Sequence, residues 1–371
     1  MQPLAIHFTS APSPSEMIRL VDQAIAQGAQ GLLLLAADGN QYDPAEIDSW
    51  LRALPVPVCG GVFPQLIHDQ KNHEQGVIVA GFSQPIEVHE IAGLSTPDAD
   101  YFEAVEACFD PDEVPASLLV FVDGMASRIG DLLDGVYDVL GSDPVYAGGG
   151  AGSLSFQQKP CIFSNRGMLA DHAQLVSLPW ALNLGVDHGW EKFAGPFVVT
   201  RASRNEIDGL DFRPAFDVYR EHVEADSARR FTSDNFFDIA KGYPFGMEKP
   251  DGSIVVRDPI THDADKMVCV GEVPPHSVLY LLKGRPERLI EAARSCATRL
   301  PPGSAPTLIT DCISRVLFLE QDFTRELEAV QQALGDRPLF GVLSLGEIAN
   351  GGTHCLEFYN KTLVLAALAA D

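Results

Sequence analysis

The chain repeats one order of apolar and polar positions three times: an apolar run, a polar turn, a stripe at helical spacing, then a proline and a glycine-marked second run. In the first copy residues 32–35 lead into Asp38-Gly39. Ile47, Trp50, Leu51 and Leu54 keep helical spacing, and Pro57-Val-Cys-Gly-Gly61 follows. The second copy has residues 118–122, Asp123-Gly124, the stripe Ile129, Leu132, Leu133, Val136 and Leu140, and Pro144-Val-Tyr-Ala-Gly-Gly-Gly150. The third has residues 307–310, Asp311-Cys312, the stripe Phe323, Leu327, Val330 and Leu334, and Pro338-Leu-Phe-Gly341. Two further strand-like stretches trail each copy, as in Cys355-Leu-Glu-Phe-Tyr359 with Leu363-Val-Leu365. Alternation of period two with period 3.6 predicts an α/β fold: two lobes of mixed sheets flanked by helices, built from repeated strand–helix–strand–hairpin units. An ancient duplication and a common strand–helix–strand solution account for the shared order equally well.

Smaller signals place the remaining elements. Ser13-Pro14-Ser15-Glu16 reads as a capping box ahead of a helix that Gly28 ends. Residues 193–201 read as strand, 213–228 as a charged helix, 242–275 as short strands and loops, and 277–300 as a strand–helix pair. The boundary between lobes is expected near Leu210, giving domains 1–210 and 211–371. Gly148-Gly-Gly-Ala-Gly152 reads as a tight turn, with an anion cradle as the alternative. Asp38, Asp123 and Asp311 read as helix caps after strands.

Composition narrows the partners. With 26 basic against 51 acidic side chains the net charge is −25, and no Lys/Arg cluster interrupts it, so nucleic acid and anionic lipid are disfavoured. No apolar run approaches the ~20 residues a membrane helix needs, and the N-terminus carries no basic region ahead of a long apolar stretch. Seven scattered cysteines do not make a disulfide framework, which fits a reducing cytoplasm.

Standard catalytic motifs fail on residue order. Gly148 to Leu154 lacks the Lys and hydroxyl of a phosphate loop, and Ser153 stands where a dinucleotide fingerprint has its third glycine. His73-Glu74 and His89-Glu90 have no second His four positions on, and there is no Cys-x-x-Cys pair. Gly341-Val-Leu-Ser-Leu-Gly346 misses the nucleophile-elbow spacing by one residue. The expectation is a binding protein, not an enzyme, with no metal set that the sequence selects.

The third copy carries an identification. Asp311-Cys-Ile-Ser-Arg315, Arg325-Glu326, Pro338-Leu-Phe-Gly341, Leu345-Gly-Glu-Ile348 and Phe358-Tyr-Asn-Lys-Thr-Leu363 together resemble the C-terminal part of FIST domains. Tyr243-Pro-Phe-Gly246, Ile254-Val-Val-Arg-Asp258 and Val270-Gly-Glu-Val273 extend that pattern upstream. Residues 118–124, 144–152 and His188-Gly-Trp190 are similar to the FIST N-terminal domain. The resemblance implies a sensory, ligand-binding module of bacterial signal transduction. It implies an amino acid or similar small molecule as ligand. The alternative it carries is a haem-based nitric-oxide sensor acting on a histidine kinase. With no kinase or receiver in the chain, a separate signalling partner is expected.

The residues themselves suggest how a ligand would be held. Polar turns after parallel strands sit at carboxyl ends, where open α/β sheets bind ligands. The expected ligand-binding set is Arg257, Asp311, Cys312, Arg315, Glu347 and Asn360: Arg315 or Arg257 for a carboxylate, Asp311 or Glu347 for an amine. Arg315 and Glu347 read equally as a structural ion pair, and Cys312 as a small buried residue. Should haem be the cofactor, His188, His354, Cys355 and Tyr243 are the candidate ligands.

Overall fold

The computed structural model describes residues 4–111, 113–350 and 355–368. Each repeated segment folds alike. Strand Gly31–Ala37 is followed by helix Pro44–Leu51 and by the parallel strand Val58–Phe63. Ser117–Asp123, helix Ile129–Leu140 and Val145–Ala151 do the same. So do Thr307–Cys312, the helices Ile313–Leu319 and Phe323–Leu334, and Leu339–Ser344. After a hairpin, a fifth strand returns antiparallel onto each first strand, and an edge strand flanks it. All three first strands are buried along their whole length, which explains their continuous apolar runs.

The hairpin of each unit leaves its own sheet. Gln65–His68 of the first unit pairs with Leu339–Ser344 of the third. Glu347–Ala349 of the third pairs with Val145–Ala151 of the second, and Ile162 of the second pairs with Gly61 of the first. This ring of exchanges ties residues near both ends of the chain into one body. One apolar cluster accordingly holds Leu34, Phe121 and Phe340, one from each unit.

A common strand–helix–strand solution would not require the exchange, so its threefold recurrence points to repetition of one unit. The glycines agree. Gly60, Gly148 and Gly341 stand opposite Leu34, Val120 and Ile309 in equivalent register. A Cβ there would meet the facing carbonyl oxygen at 2.2, 1.9 and 1.8 Å respectively. Gly341→Ala is therefore expected to destabilise the fold by about 1–3 kcal/mol or more, read as a lower urea midpoint with little change in slope.

The glycine run of the second unit is strand rather than the tight turn or anion cradle expected from sequence. A Cβ on Gly149 would lie 2.8 Å from Thr310 Cγ2 and 2.9 Å from the Gly346 carbonyl. Close approach of the third unit, not a turn, requires glycine there. The capping box at Ser13 does not form either. The helix begins at Pro14, but Ser13 makes no side-chain cap and its hydroxyl lies against that of Ser15.

The second lobe is a barrel. Strands Glu191–Ser203, Val278–Lys283, Phe245–Glu248, Ile254–Asp263, Lys266–Val270 and Glu206–Leu210 pair in that order, and the last closes onto the first. Helices Ala215–Ser227 and Phe236–Ala240 contribute Phe216, Tyr219 and Phe236 to its core. The barrel is inserted between the edge strand and the first strand of the third unit, so strands from both sides of Leu210 build it. Among the described residues no helix is long and apolar enough to cross a membrane.

Candidate functional site

A cavity of about 450 Å³ lies where the second unit, the third unit and the barrel meet. Its walls are the start of helix Ile129–Leu140, barrel strand Ile254–Asp263, the turn after Lys266–Val270, and the chain from Leu356 to Asn360. Ile129, Leu133, Val270, Leu345, Leu356 and Phe358 make much of the lining apolar, as in small-molecule sites generally.

Two residues in this lining keep polar atoms without a protein partner. Arg257 is 5% exposed. Its Nε donates to the Glu272 carbonyl at 2.7 Å, and Nη1 donates to the carbonyls of Phe358 and Val256. Nη2 has no protein partner among the described residues, and no carboxylate forms an ion pair with the guanidinium. Burial draws its pKa down from the usual arginine value. Asn360 is 1% exposed, yet both its Oδ1 and its Nδ2 are without a hydrogen-bond partner. Gly271, at φ +80°, keeps the space between them open: a Cβ there would lie 3.2 Å from both Arg257 Nε and Asn360 Oδ1. Arg257 and Asn360 thus leave hydrogen-bonding groups unmatched in the cavity lining.

The structure separates the expected set. Arg257, Cys312 and Asn360 line the cavity, whereas Asp311, Arg315 and Glu347 do not. Arg315 is fully buried and surrounded by acceptors: both Glu326 oxygens, at 3.2 and 2.5 Å, and the carbonyls of His188, Lys361 and Leu289. Asp311 Oδ1 adds an ion pair at 3.1 Å from Nε, without the geometry of a hydrogen bond. Burial and the neighbouring Glu326 hold Asp311 well above the usual carboxylate range, with Arg315 opposing them. The cation thus joins helices Ile313–Leu319 and Phe323–Leu334 to the chain at Lys361, and no donor is left for a ligand. Nor do Asp38 and Asp123 cap helices. Asp38 binds Ser153 and Lys159; Asp123 accepts from Met125 N, Asp171 N and Gln158.

Glu347 lies behind Cys312, accepting from Ser344 Oγ at 2.7 Å and Thr362 N at 3.2 Å. Burial pushes its pKa up to about 8, while those bonds and the Cys312 thiol pull it down. A carboxyl raised in the fold ionises more readily once the chain unfolds. Its contribution to stability is complete below about pH 4.5 and disappears as pH rises to about 8. Glu347→Gln, which keeps the neutral shape, is expected to become progressively more stable than the parent across that window, as melting curves at successive pH values would record. Burial also raises the Cys312 thiol well above its ordinary value, so it is neutral.

Sequence reasoning did not single out Asp258, Gly271, Asp134 or Glu272, which also line the cavity. Asp258 accepts from Ser314 at 2.6 Å and pairs with the fully buried Lys361 at 3.2 Å. Asp258, Gly271 and Glu272 sat inside the motif strings already noted. Asp134 lies beside the apolar stripe of its helix, where a polar residue reads as surface.

The described haem candidates do not line the cavity. His188 accepts from Trp190 N at 2.9 Å, and burial lowers its pKa to about 4. Tyr243 donates to Asp226 at 2.7 Å, Cys355 is exposed, and His354 lies outside the described residues. None of the three described candidates, and no other imidazole among the described residues, lines the cavity.

A mixed α/β frame with a largely apolar cavity and a few convergent polar groups defines a ligand-binding protein. Residues 31–213 match the FIST N domain and residues 215–350 match the FIST C domain, and the chain belongs to the FIST family. FIST domains are sensory signalling domains that bind small ligands, and their architecture is typically non-catalytic. The sequence matches no curated protein.

Proposed function

We propose that this chain is a sensory protein that binds an amino acid or similarly charged small metabolite in the cavity and signals through a separate partner such as a histidine kinase. The observation that carries this is Asn360, a buried amide with neither end partnered, beside the free edge of Arg257. A ligand carboxylate would take Arg257 Nη2 and Asn360 Nδ2, and its ammonium would face Asn360 Oδ1. The walls come from three parts of the fold, so a ligand touching all of them favours the arrangement in which they are closest. The response is limited by the difference in affinity between the arrangements.

A thermal-shift panel of the full chain against amino acids, simple carboxylates and hemin tests this. One-site binding at a hundred times the dissociation constant adds about 2.7 kcal/mol, enough to raise the melting point by a few degrees. An amino-acid response absent with hemin is expected. A response to hemin alone, with a stoichiometric Soret band, would replace this function by gas sensing.

A further inference from the structure

We propose that the ligand is a cationic amino acid, one whose second positive charge ends an aliphatic stem, as in lysine or arginine. This rests on the amino-acid reading and adds the side chain. The cavity lining carries unmatched charge of both signs. Arg257 forms no ion pair with a carboxylate among the described residues, and both polar atoms of the Asn360 amide are without a partner. Besides Asp258, which pairs with Lys361, three carboxylates line the cavity: Asp134 on helix Ile129–Leu140, Glu272 in the turn after Lys266–Val270, and Glu357 at the start of strand Glu357–Tyr359. Two already have cations. Glu272 pairs with Arg204 at 3.2 Å, and Glu357 pairs with Lys249. Asp134 has no hydrogen bond or ion pair among the described residues. A ligand of no net charge in its α-amino-acid part and one further cation would complete this pattern.

The stem follows from what lies between. Ile129, Leu133, Val270, Leu356 and Phe358 offer methylene-compatible surface, and about 450 Å³ leaves room beyond a backbone-sized ligand. Local charge works in the same direction. Partial burial raises Asp134, Asp131, Asp138 and Glu357 raise it further, and Lys249, already paired with Glu357, opposes them only in part. Glu272 is raised likewise, by burial and then by Asp131. Carboxylates crowded in this way gain from an added cation. Asp134 is exposed at the cavity mouth, so its ammonium partner would remain partly hydrated while the α-carboxylate is buried.

Calorimetric titration of the full chain with L-lysine, L-arginine, L-norleucine and cadaverine separates the terms. Lysine or arginine is expected to bind about tenfold tighter than norleucine, in keeping with one charged contact. Cadaverine, which has no carboxylate for Arg257, is expected to bind weakest. In Asp134→Asn, a surface change on a helix, the lysine-to-norleucine ratio is expected to fall to about one. Norleucine binding as tightly as lysine and arginine would overturn the cationic side chain and leave the amino-acid function standing. A preference that survives Asp134→Asn would overturn the assignment of that carboxylate. Binding of none of the four would remove both readings together.

Discussion

Arg315→Ala is expected to lower stability by about 3–5 kcal/mol, the effect of leaving buried charge uncompensated. Glu326 and Asp311 are both fully buried, and their only cation within ion-pair distance among the described residues is this guanidinium. The carbonyls of His188, Leu289 and Lys361 would each lose the arginine donor in the same change, with Trp190 Nε1 remaining on Lys361. Those carbonyls come from three separate segments, so the damage would spread beyond one helix. Arg315→Lys is expected to recover little, because one ammonium has three donors and no planar fork to span a carboxylate and three carbonyls. Urea unfolding of both variants decides it. A folded Arg315→Ala of parental stability that no longer binds ligand would restore Arg315 to the ligand-binding role its motif suggests.

Asn360→Leu is expected to do the reverse: ligand binding lost, stability equal to the parent or higher. A buried polar atom without a partner carries a desolvation penalty of about 1–3 kcal/mol, and Asn360 has two such atoms. Leucine has nearly the same shape and no polar group to desolvate. Conservation of volume matters because Gly271 lies close enough that a Cβ on it would sit 3.2 Å from Asn360 Oδ1. Natural sites often retain such a penalty for function, so a stabilising loss-of-function substitution identifies them. Melting and titration of the same preparation give both readouts. A marked fall in stability would make Asn360 a structural residue and move the carboxylate site elsewhere.

Much of the fold was legible because its signals are local. Apolar runs such as residues 32–35 and 118–122, the 3.6-residue stripe of helix Ile129–Leu140 and the glycine-marked second strands all report on neighbours within one unit. The order of elements and the α/β class follow from these without tertiary information. The barrel was visible only as short strands and loops. Its closure depends on Glu191–Ser203 pairing with both Val278–Lys283 and Glu206–Leu210, partners whose distance in sequence carries no periodicity.

The site divides along the same line. Arg257, Asp311, Arg315, Glu347 and Asn360 are all polar residues amid apolar strands, and by pattern alone they are equivalent. Tertiary packing sorts them. Arg315 is enclosed by Glu326, which a helix brings from eleven positions later, and by three distant carbonyls. Arg257, nearly as buried, meets carbonyls on one side and the cavity on the other. The sequence by itself determined the three repeated units, the family and the residue types that burial would make consequential. The tertiary structure alone decided that hairpins exchange between sheets, and which buried charges are satisfied and which face open space. Hydrogen-bond saturation is a property of groups meeting across long loops, so no local pattern of polar and apolar positions encodes it.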